Sequence, residues 1–488
     1  MSELHFPWLE FSIALPILGA LIVSRLNESF TARKWTAVIS GITLISTIAA
    51  WEDLYLVHAT EAADRWDLSS ALLGRRLLTI DELSAPLLPM VALLFFLTCM
   101  ATPRTKLRRF SFAWTLVAEA IALATLSCRE PWPLITLLGL GILPPYRELR
   151  NRGRPSRVYV LHMLLFQSLL IIGWIGVEAE GSEQVHSLIA LVPLLLAILI
   201  RSAVFPFHTW VLELVENNSF GTTLLFLTPL TCAYAAVRLV VPISPDWVLR
   251  AMGVMSLFTA VYTAGLALVQ TDARRLFCYL FLSHSAIVLV GMEMATPIGL
   301  TGGLCVWLST GLALTGFGLT LRALEARFGR LTLCQHLGYY EHTPTLAMCF
   351  LITGLASVGF PGTIGFVGTE LLIDGAVGVY PSIGVMVVLA SALNGIAVVR
   401  AYMLLFAGKP HESTISVRIS TRERFAVLLL VFLILGGGLL PGPGVQSRHH
   451  AAVEILSGRA ALWPNAGQDF DGSVGSEPHA PAEGSQEH

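Results

Sequence analysis

Residues 192–219, VPLLLAILIRSAVFPFHTWVLELVENNS, place a fixed charge inside an apolar run. Seven apolar residues, Leu194 to Ile200, lead into Arg201, and Pro206, Phe207, His208, Thr209 and Trp210 follow. Proline lacks an N–H and clashes with the carbonyl four residues back, so the helix is expected to kink or unwind about one turn beyond Arg201. A charge beside broken backbone at membrane depth marks an ion path, because both features are costly unless they face protein or water. The rival reading is that Arg201 snorkels to an interface and the proline only ends the helix. His208 and Glu213 stand just after the break. A second stretch, QTDARRLFCYLFLSHS at 270–285, offers Thr271 or Asp272 as an N-cap with Arg274 and Arg275 just inside. His284 lies nine residues beyond Arg275, about 13 Å along a helix. An imidazole near mid-membrane can relay protons because it titrates near neutrality; it can equally be a histidine satisfied by a carbonyl. Glu119, ten residues from both Arg109 and Arg129, is expected to be buried, either as a counter-ion for Arg201 or facing a small polar pocket with no partner charge. Glu370 and Asp374 fall in the Gly-rich segment 361–380.

These residues need a membrane-spanning scaffold, and the composition supplies one. The 488-residue chain is 55% hydrophobic and 13% charged, with mean hydropathy +0.70, whereas soluble domains carry about 25% charged residues. A net charge of −2 gives no electrostatic case for nucleic acid. The seven cysteines form no C-x-x-C pair and read as small core residues without a metal or iron–sulfur site. The first ten residues carry two acidic groups and no Lys or Arg, so the first apolar run is expected to stay as a span rather than act as a cleaved signal.

The expected fold is an all-α membrane protein of about fourteen transmembrane helices. Spans are expected near 9–24, 35–51, 84–102, 110–127, 131–146, 157–177, 185–205, 221–241, 247–269, 275–293, 298–321, 344–360, 381–406 and 424–441. Segment 361–380 reads as the second half of a broken twelfth span. In the loop 52–82, which carries Asp53, Asp67 and Asp81, short strands are an open option and Trp51 and Trp66 point to the outer interface. Basic loops follow the odd spans, among them Arg147 through Arg157, Arg322–Arg327–Arg330 and Lys409–Arg418–Arg422, except the seventh, whose loop HTWVLELVENNS is acidic and fits a segment held within the protein. Opposite loops such as VEAEGSE at 177–183 are neutral or acidic. The bias predicts both termini outside, in the periplasm of a bacterium, and a chain in the inner membrane. The organisation expected is 1–108 N-terminal spans and outer loop, 109–410 core, 411–442 a last span, and 443–488 a disordered acidic tail.

Three motifs in order carry a family resemblance: Arg201 followed by FPFHTW, then QTDARRLFCYLFLSHS, then GLASVGFPGTIGFVGTE at 354–370. The chain resembles the proton-translocating membrane subunits of respiratory complex I, chain M or chain 4 above all, and of Mrp-type cation/proton antiporters. The resemblance covers roughly residues 80–410 and implies two inverted five-helix repeats, spans four to eight and nine to thirteen, each with a broken helix. It also implies an ion path through Glu119, Arg201, His208, Glu213, Asp272, Arg275, His284 and Glu370. The departures are as informative. Gly139 stands where the family has a glutamate, Arg201 where it has a lysine, and Phe226 or a neighbour where it has Lys or His. Residues 306–320 lack the family's titratable groups, and Asn394 replaces a late charge. Arginine does not deprotonate in proteins and cannot pass a proton on by titrating. The scaffold is kept and most of the titratable line is lost.

The first function expected is therefore an antiporter-like, proton- or cation-translocating subunit of a complex I-like NADH:quinone oxidoreductase, with a degenerate path. No flavin, iron–sulfur or nicotinamide motif is present, so redox chemistry would belong to partners and no cofactor is expected here. The resemblance implies other membrane subunits and a soluble subunit as partners. A second reading is the membrane half of a two-component inorganic-carbon uptake complex with a soluble zinc-bearing partner. A third is a non-conducting scaffold.

Overall fold

The computed structural model describes residues 2–66, 74–181, 186–294, 296–377, 380–409 and 419–462. Asp67, Ser182, Glu183, Arg418 and the acidic segment 463–488, all used in the sequence reading, lie outside the described residues.

Every expected span coincides with a helix or a helix pair. The first half holds α1 (Trp8–Ser24), α2 (Ser29–Leu56), α3 (Leu87–Met100), α4 (Phe112–Leu126), α5 (Pro131–Gly141), α6 (Leu143–Asn151) and α7 (Arg157–Glu180). Then come α8 (Leu188–Arg201), α9 (Thr209–Asn217), α10 (Phe220–Leu227) and α11 (Thr231–Ala235), the last running into a π turn at Ala236–Val240. The second half holds α12 (Asp246–Leu268), α13 (Ala273–Glu293), α14 (Pro297–Phe328), α15 (Pro344–Ser357), α16 (Ile364–Val377), α17 (Pro381–Phe406), α18 (Thr421–Leu439) and α19 (Gly442–Leu462). Among the described residues, seven stretches are long and apolar enough to cross a bilayer on their own, and the bent pair α18–α19 makes an eighth. Helices such as α8, 14 residues long, reach only about 21 Å, short of a hydrocarbon core of about 30 Å.

α13 and α14 form the buried centre, because both are apolar all round. Asp272 caps α13 by accepting from the Arg274 and Arg275 amides, and Thr296 caps α14 ahead of Pro297. Small residues let backbones meet. A methyl on Gly303 would lie 2.7 Å from Gly291 Cα, and one on Gly302 would lie 2.3 Å from the Leu372 amide. Such stripes replace the hydrophobic drive that lipid cannot supply. The outer ring is lipid-facing: Leu161, Leu164, Ile172 and Ile175 stand exposed along α7.

Both expected breaks are present. α8 stops at Arg201 itself, rather than a turn later, and Ala203 (φ 58°) and a cis Phe205–Pro206 bond lead to α9. The second break runs from Val358 to Thr363, with Gly359 and Gly362 at φ 81° and 86°. A third, unexpected, interrupts the 221–241 span at Pro229 and Leu230 (φ 50°), and the 131–146 span is divided at Ile142.

Two features differ from the sequence reading. Residues 442–462 are helical instead of a disordered tail. The buried Arg448 donates to the Leu83 carbonyl at 3.0 Å and to that of Glu82, and the buried Arg459 donates to the Ser244 carbonyl at 3.1 Å and pairs with Asp246. Arg322 is not a loop cation: α14 extends past it to Phe328 and buries it against the Thr98 carbonyl and Thr102 Oγ1, both at 3.1 Å.

The early loop forms a small sheet, β1 (Ser2–Leu4) parallel to β2 (Glu61–Asp64) and β2 antiparallel to β3 (Ile80–Asp81). The Asp64 carboxylate accepts from the Leu9 and Glu10 amides at 3.3 and 2.9 Å, capping α1, whose own N-cap is Pro7. The N-terminal strand and α19 thus sit at one end of the molecule, joined through residues 80–83.

Candidate functional site

Arg201 closes α8, and a closing helix leaves carbonyls without partners. Trp210 Nε1 donates to one of them, Ile200 O, at 2.9 Å. That bond folds α9 back and brings Trp210 to Arg201. The guanidinium carbon lies 5.5 Å from the Trp210 ring and 4.1 Å from that of Phe226 on α10. Tyr159 completes the aromatic wall, 6.1 Å from both rings. Phe226, at the place the resemblance gives to Lys or His, is thus the closest face on Arg201. The side chain is 8% exposed. Among the described residues it makes no ion pair and no hydrogen bond; its stabilisation is cation–π.

The expected Glu119–Arg201 pair is not formed. Glu119 on α4 is fully buried and turns to α2, where Ser40 Oγ donates to Oε1 at 2.6 Å. Its other oxygen has no partner among the described residues. Packing of α4 on α2 as well as on α1 selects that face, which periodicity along α4 alone does not reveal. The slot left by Gly139 is taken by an amide: a methyl on Gly139 would lie 3.0 Å from the Gln167 side chain, whose nitrogen donates to Ile135 O.

His208 stacks on Phe205 at 5.8 Å, and its Nδ1 has no side-chain partner among the described residues. Glu213 accepts from the Tyr159 amide at 2.6 Å, so it caps α7 and holds Tyr159 in the aromatic wall rather than facing Arg201. Asp272 and Arg275 sit together at the start of α13, where Asp272 also pairs with Arg330 at 2.6 Å and Arg275 pairs with Glu216. Both are anchors of a helix end. His284 is buried in α13, with Nε2 unpartnered among the described residues. Its neighbour Ser283 donates to Ala260 O at 2.9 Å and accepts from Asn394 Nδ2 at 2.7 Å. That bond ties the residue at the late lost charge to the middle of α13. Glu370 is exposed on α16, as is Asp374 one turn on, and neither joins the buried groups. Among the eight candidates, only Asp272 and Arg275 are in direct contact.

Two charged features were missed. Glu293, the last residue of α13, lies against Gly253, where a methyl would sit 1.4 Å from Oε2. A carboxylate closing a long apolar run was its signal. Arg274 forks onto Glu325 at 2.6 and 2.7 Å, and Arg327 onto Glu423 at 3.0 and 2.7 Å. These pairs staple α13, α14 and α18.

The front of Arg201 opens on a cavity of about 710 Å³ bounded by α4, α5, α6 and α10. Arg108, Arg109, Arg147, Arg152 and Arg154 line it with Arg201, and Glu148 is its one carboxylate.

The match to known proteins follows the same elements. Residues 161–394 match the family model described as NADH:quinone oxidoreductase/Mrp antiporter, TM. Chain 4 3 of the NAD(P)H-quinone oxidoreductase of Trichormus variabilis is 25% identical, with 95% of this chain and 94% of that one aligned. A chain of respiratory complex I from Thermus thermophilus superposes with a TM-score of 0.82 at 22% identity, covering 92% of this chain and 99% of that one. A chain of the Mrp complex from a Dietzia species gives 0.82 at 19% identity, covering 93% and 98%. The chain is a multi-pass membrane protein similar in sequence to chain 4 and subunit M of NAD(P)H- and NADH-quinone oxidoreductases, and similar in fold to membrane chains of complex I and of an Mrp complex.

Proposed function

We propose that this chain is an antiporter-like membrane subunit of a complex I-like assembly in a bacterial inner membrane, contributing to proton or cation translocation through a degenerate path. The observation that supports it is the break at Arg201, where α8 ends beside an aromatic wall and the guanidinium stands against Phe226 instead of a titratable partner. Ten of the fourteen spans form two repeats of five, α4 to α11 and α12 to α17, and the Arg201 and Gly359–Gly362 breaks each fall in the fourth span of a repeat. Both termini lie on the periplasmic side in this reading, and residues 109–410 form the core. The proton-bearing groups are His284 and Glu119, with His208 at the break. Arg201 acts as a fixed charge, and the redox chemistry belongs to partner subunits, a soluble one among them.

The test is NADH-driven acidification of inverted membrane vesicles from cells carrying wild-type chain or His284→Ala, normalised to quinone reduction. A lower proton yield per electron at equal assembly supports the reading. An equal yield, together with an equal yield in Glu119→Gln, removes this chain from the ion path.

A further inference from the structure

The cavity in front of Arg201 has the wrong sign for a cation entry. Six arginines and one glutamate line it, a formal excess of five positive charges. The glutamate is already engaged: Glu148 pairs with Arg152 at 2.8 Å and accepts from the Ser219 amide and hydroxyl at 3.2 Å. Arg147 lies on the Trp114 ring at 4.8 Å. Arg108, Arg109, Arg154 and Arg201 make no ion pair among the described residues. The cavity is also deep. Its lining on the α4 side runs from Ser111 to Thr125, about 21 Å at a helical rise. The arginines at 108, 109, 147 and 154 are exposed and form the mouth, whereas Arg201 is buried. Between them the wall is apolar or small, with Ala118, Ile121, Ala122, Leu137 and Leu138.

We propose that this cavity is an oxyanion-binding vestibule, with the Arg201 guanidinium holding the anion at its inner end and the exposed arginines drawing it in. The chemistry is a pair of charged oxygens meeting the planar fork of Arg201, against which the Trp210 and Phe226 rings pack. The bound anion supplies the countercharge that Glu119 does not, and the low-dielectric wall strengthens the contact. A mouth of one sign raises the local concentration of anions and depletes cations, so protons or metal cations must reach the buried histidine by another face. The oxyanion has two sources, a small aqueous carboxylate-like ion or the phosphate of an acidic lipid. The proposal is independent of which partners surround the chain.

The test uses the full chain, with whatever subunits accompany it, in phosphatidylcholine nanodiscs. Sodium formate is titrated at constant ionic strength against chloride and followed by calorimetry. A parallel sample in discs doped with phosphatidylglycerol is read by native mass spectrometry for retained acidic lipid. Saturable formate binding identifies the aqueous source, and one retained lipid identifies the membrane source. In either case Arg201→Gln reduces binding at least tenfold. Ala122→Phe, which fills the cavity from α4 and leaves Arg201 in place, does the same, so a folding defect at Arg201 does not decide the outcome. Arg154→Gln slows formate association at low salt without changing the saturation level. No saturable binding in either arm, or binding unchanged in both Arg201→Gln and Ala122→Phe, overturns the proposal.

Discussion

Two double-mutant cycles separate the two carboxylate arrangements open to Glu119. In the first, Glu119→Gln is combined with Arg201→Gln; in the second, Glu119→Gln is combined with Ser40→Ala. A buried ion pair broken at one partner costs about 3–5 kcal/mol, most of it the stranded charge, so paired residues would be strongly non-additive. The structure places no contact between Glu119 and Arg201, and gives Glu119 a hydroxyl donor at 2.6 Å instead. A hydrogen bond to a charged group is worth about 1.5–3 kcal/mol. The Glu119–Ser40 cycle is therefore expected to show a coupling of about 1–2 kcal/mol, and the Glu119–Arg201 cycle one within about 0.5 kcal/mol of zero. Reversible unfolding in mixed non-ionic detergent and dodecyl sulfate micelles supplies the four free energies of each cycle. A coupling above about 1 kcal/mol between Glu119 and Arg201, or none between Glu119 and Ser40, refutes the account of how α4 faces its neighbours.

Other perturbations follow from the same contacts. Burial alone would raise the Asp81 carboxyl, but the Arg238 guanidinium beside it overrides burial and holds it below the usual carboxylate range. Its contribution to stability is full above the unfolded value of about 3.9 and is lost as pH falls through the lower folded value. Wild type should therefore lose stability on acidification below about pH 4, and Asp81→Asn, about 3–5 kcal/mol weaker at neutral pH, should lose less on the same acidification. Gly303→Ala forces apart α13 and α14 at a 2.7 Å approach and is expected to cost about 1–3 kcal/mol or more, whereas Gly436→Ala, with nothing within 4 Å, is near neutral. Arg448→Ala removes the donor to the Leu83 and Glu82 carbonyls, so limited proteolysis should cleave α19 before any other helix. Equal protease resistance in the variant would show that the Arg459 contacts and packing hold α19 without Arg448.

The sequence carried the scaffold because its signals are local. Pro206 and Pro361–Gly362 mark the two breaks through missing donors and positive φ, and apolar runs mark the helices. What it did not carry depends on which helix packs against which face. The sequence left Glu119 between a pair with Arg201 and a polar pocket without a partner charge, and α4 packs its carboxylate on Ser40, 79 positions away. Arg322 read as a loop cation because a basic residue near a span end follows the topology bias, and Arg274 read only as a residue inside a helix start. In the fold they lie inside long helices, where Arg274 meets Glu325 across 51 positions. The arginine cavity draws its lining from α4, α5, α6 and α10 and from the turn before α4, so no single window of sequence contains it. α19 was missed for a similar reason: its polar first turns look like a tail until Arg448 and Arg459 find carbonyl and carboxylate partners at the sheet end. The losses at Gly139, Phe226 and Asn394 were legible as substitutions, but their consequences were not. Gln167 fills the first slot, the Phe226 ring covers Arg201, and Asn394 ties onto Ser283.

The most direct measurement is affinity purification of the tagged chain from mild-detergent membranes, with mass spectrometry of the accompanying subunits. A complex I-like assembly predicts several membrane subunits together with soluble subunits that carry iron–sulfur and flavin groups. Recovery of the chain alone, or with a single soluble zinc protein and no redox subunit, contradicts it.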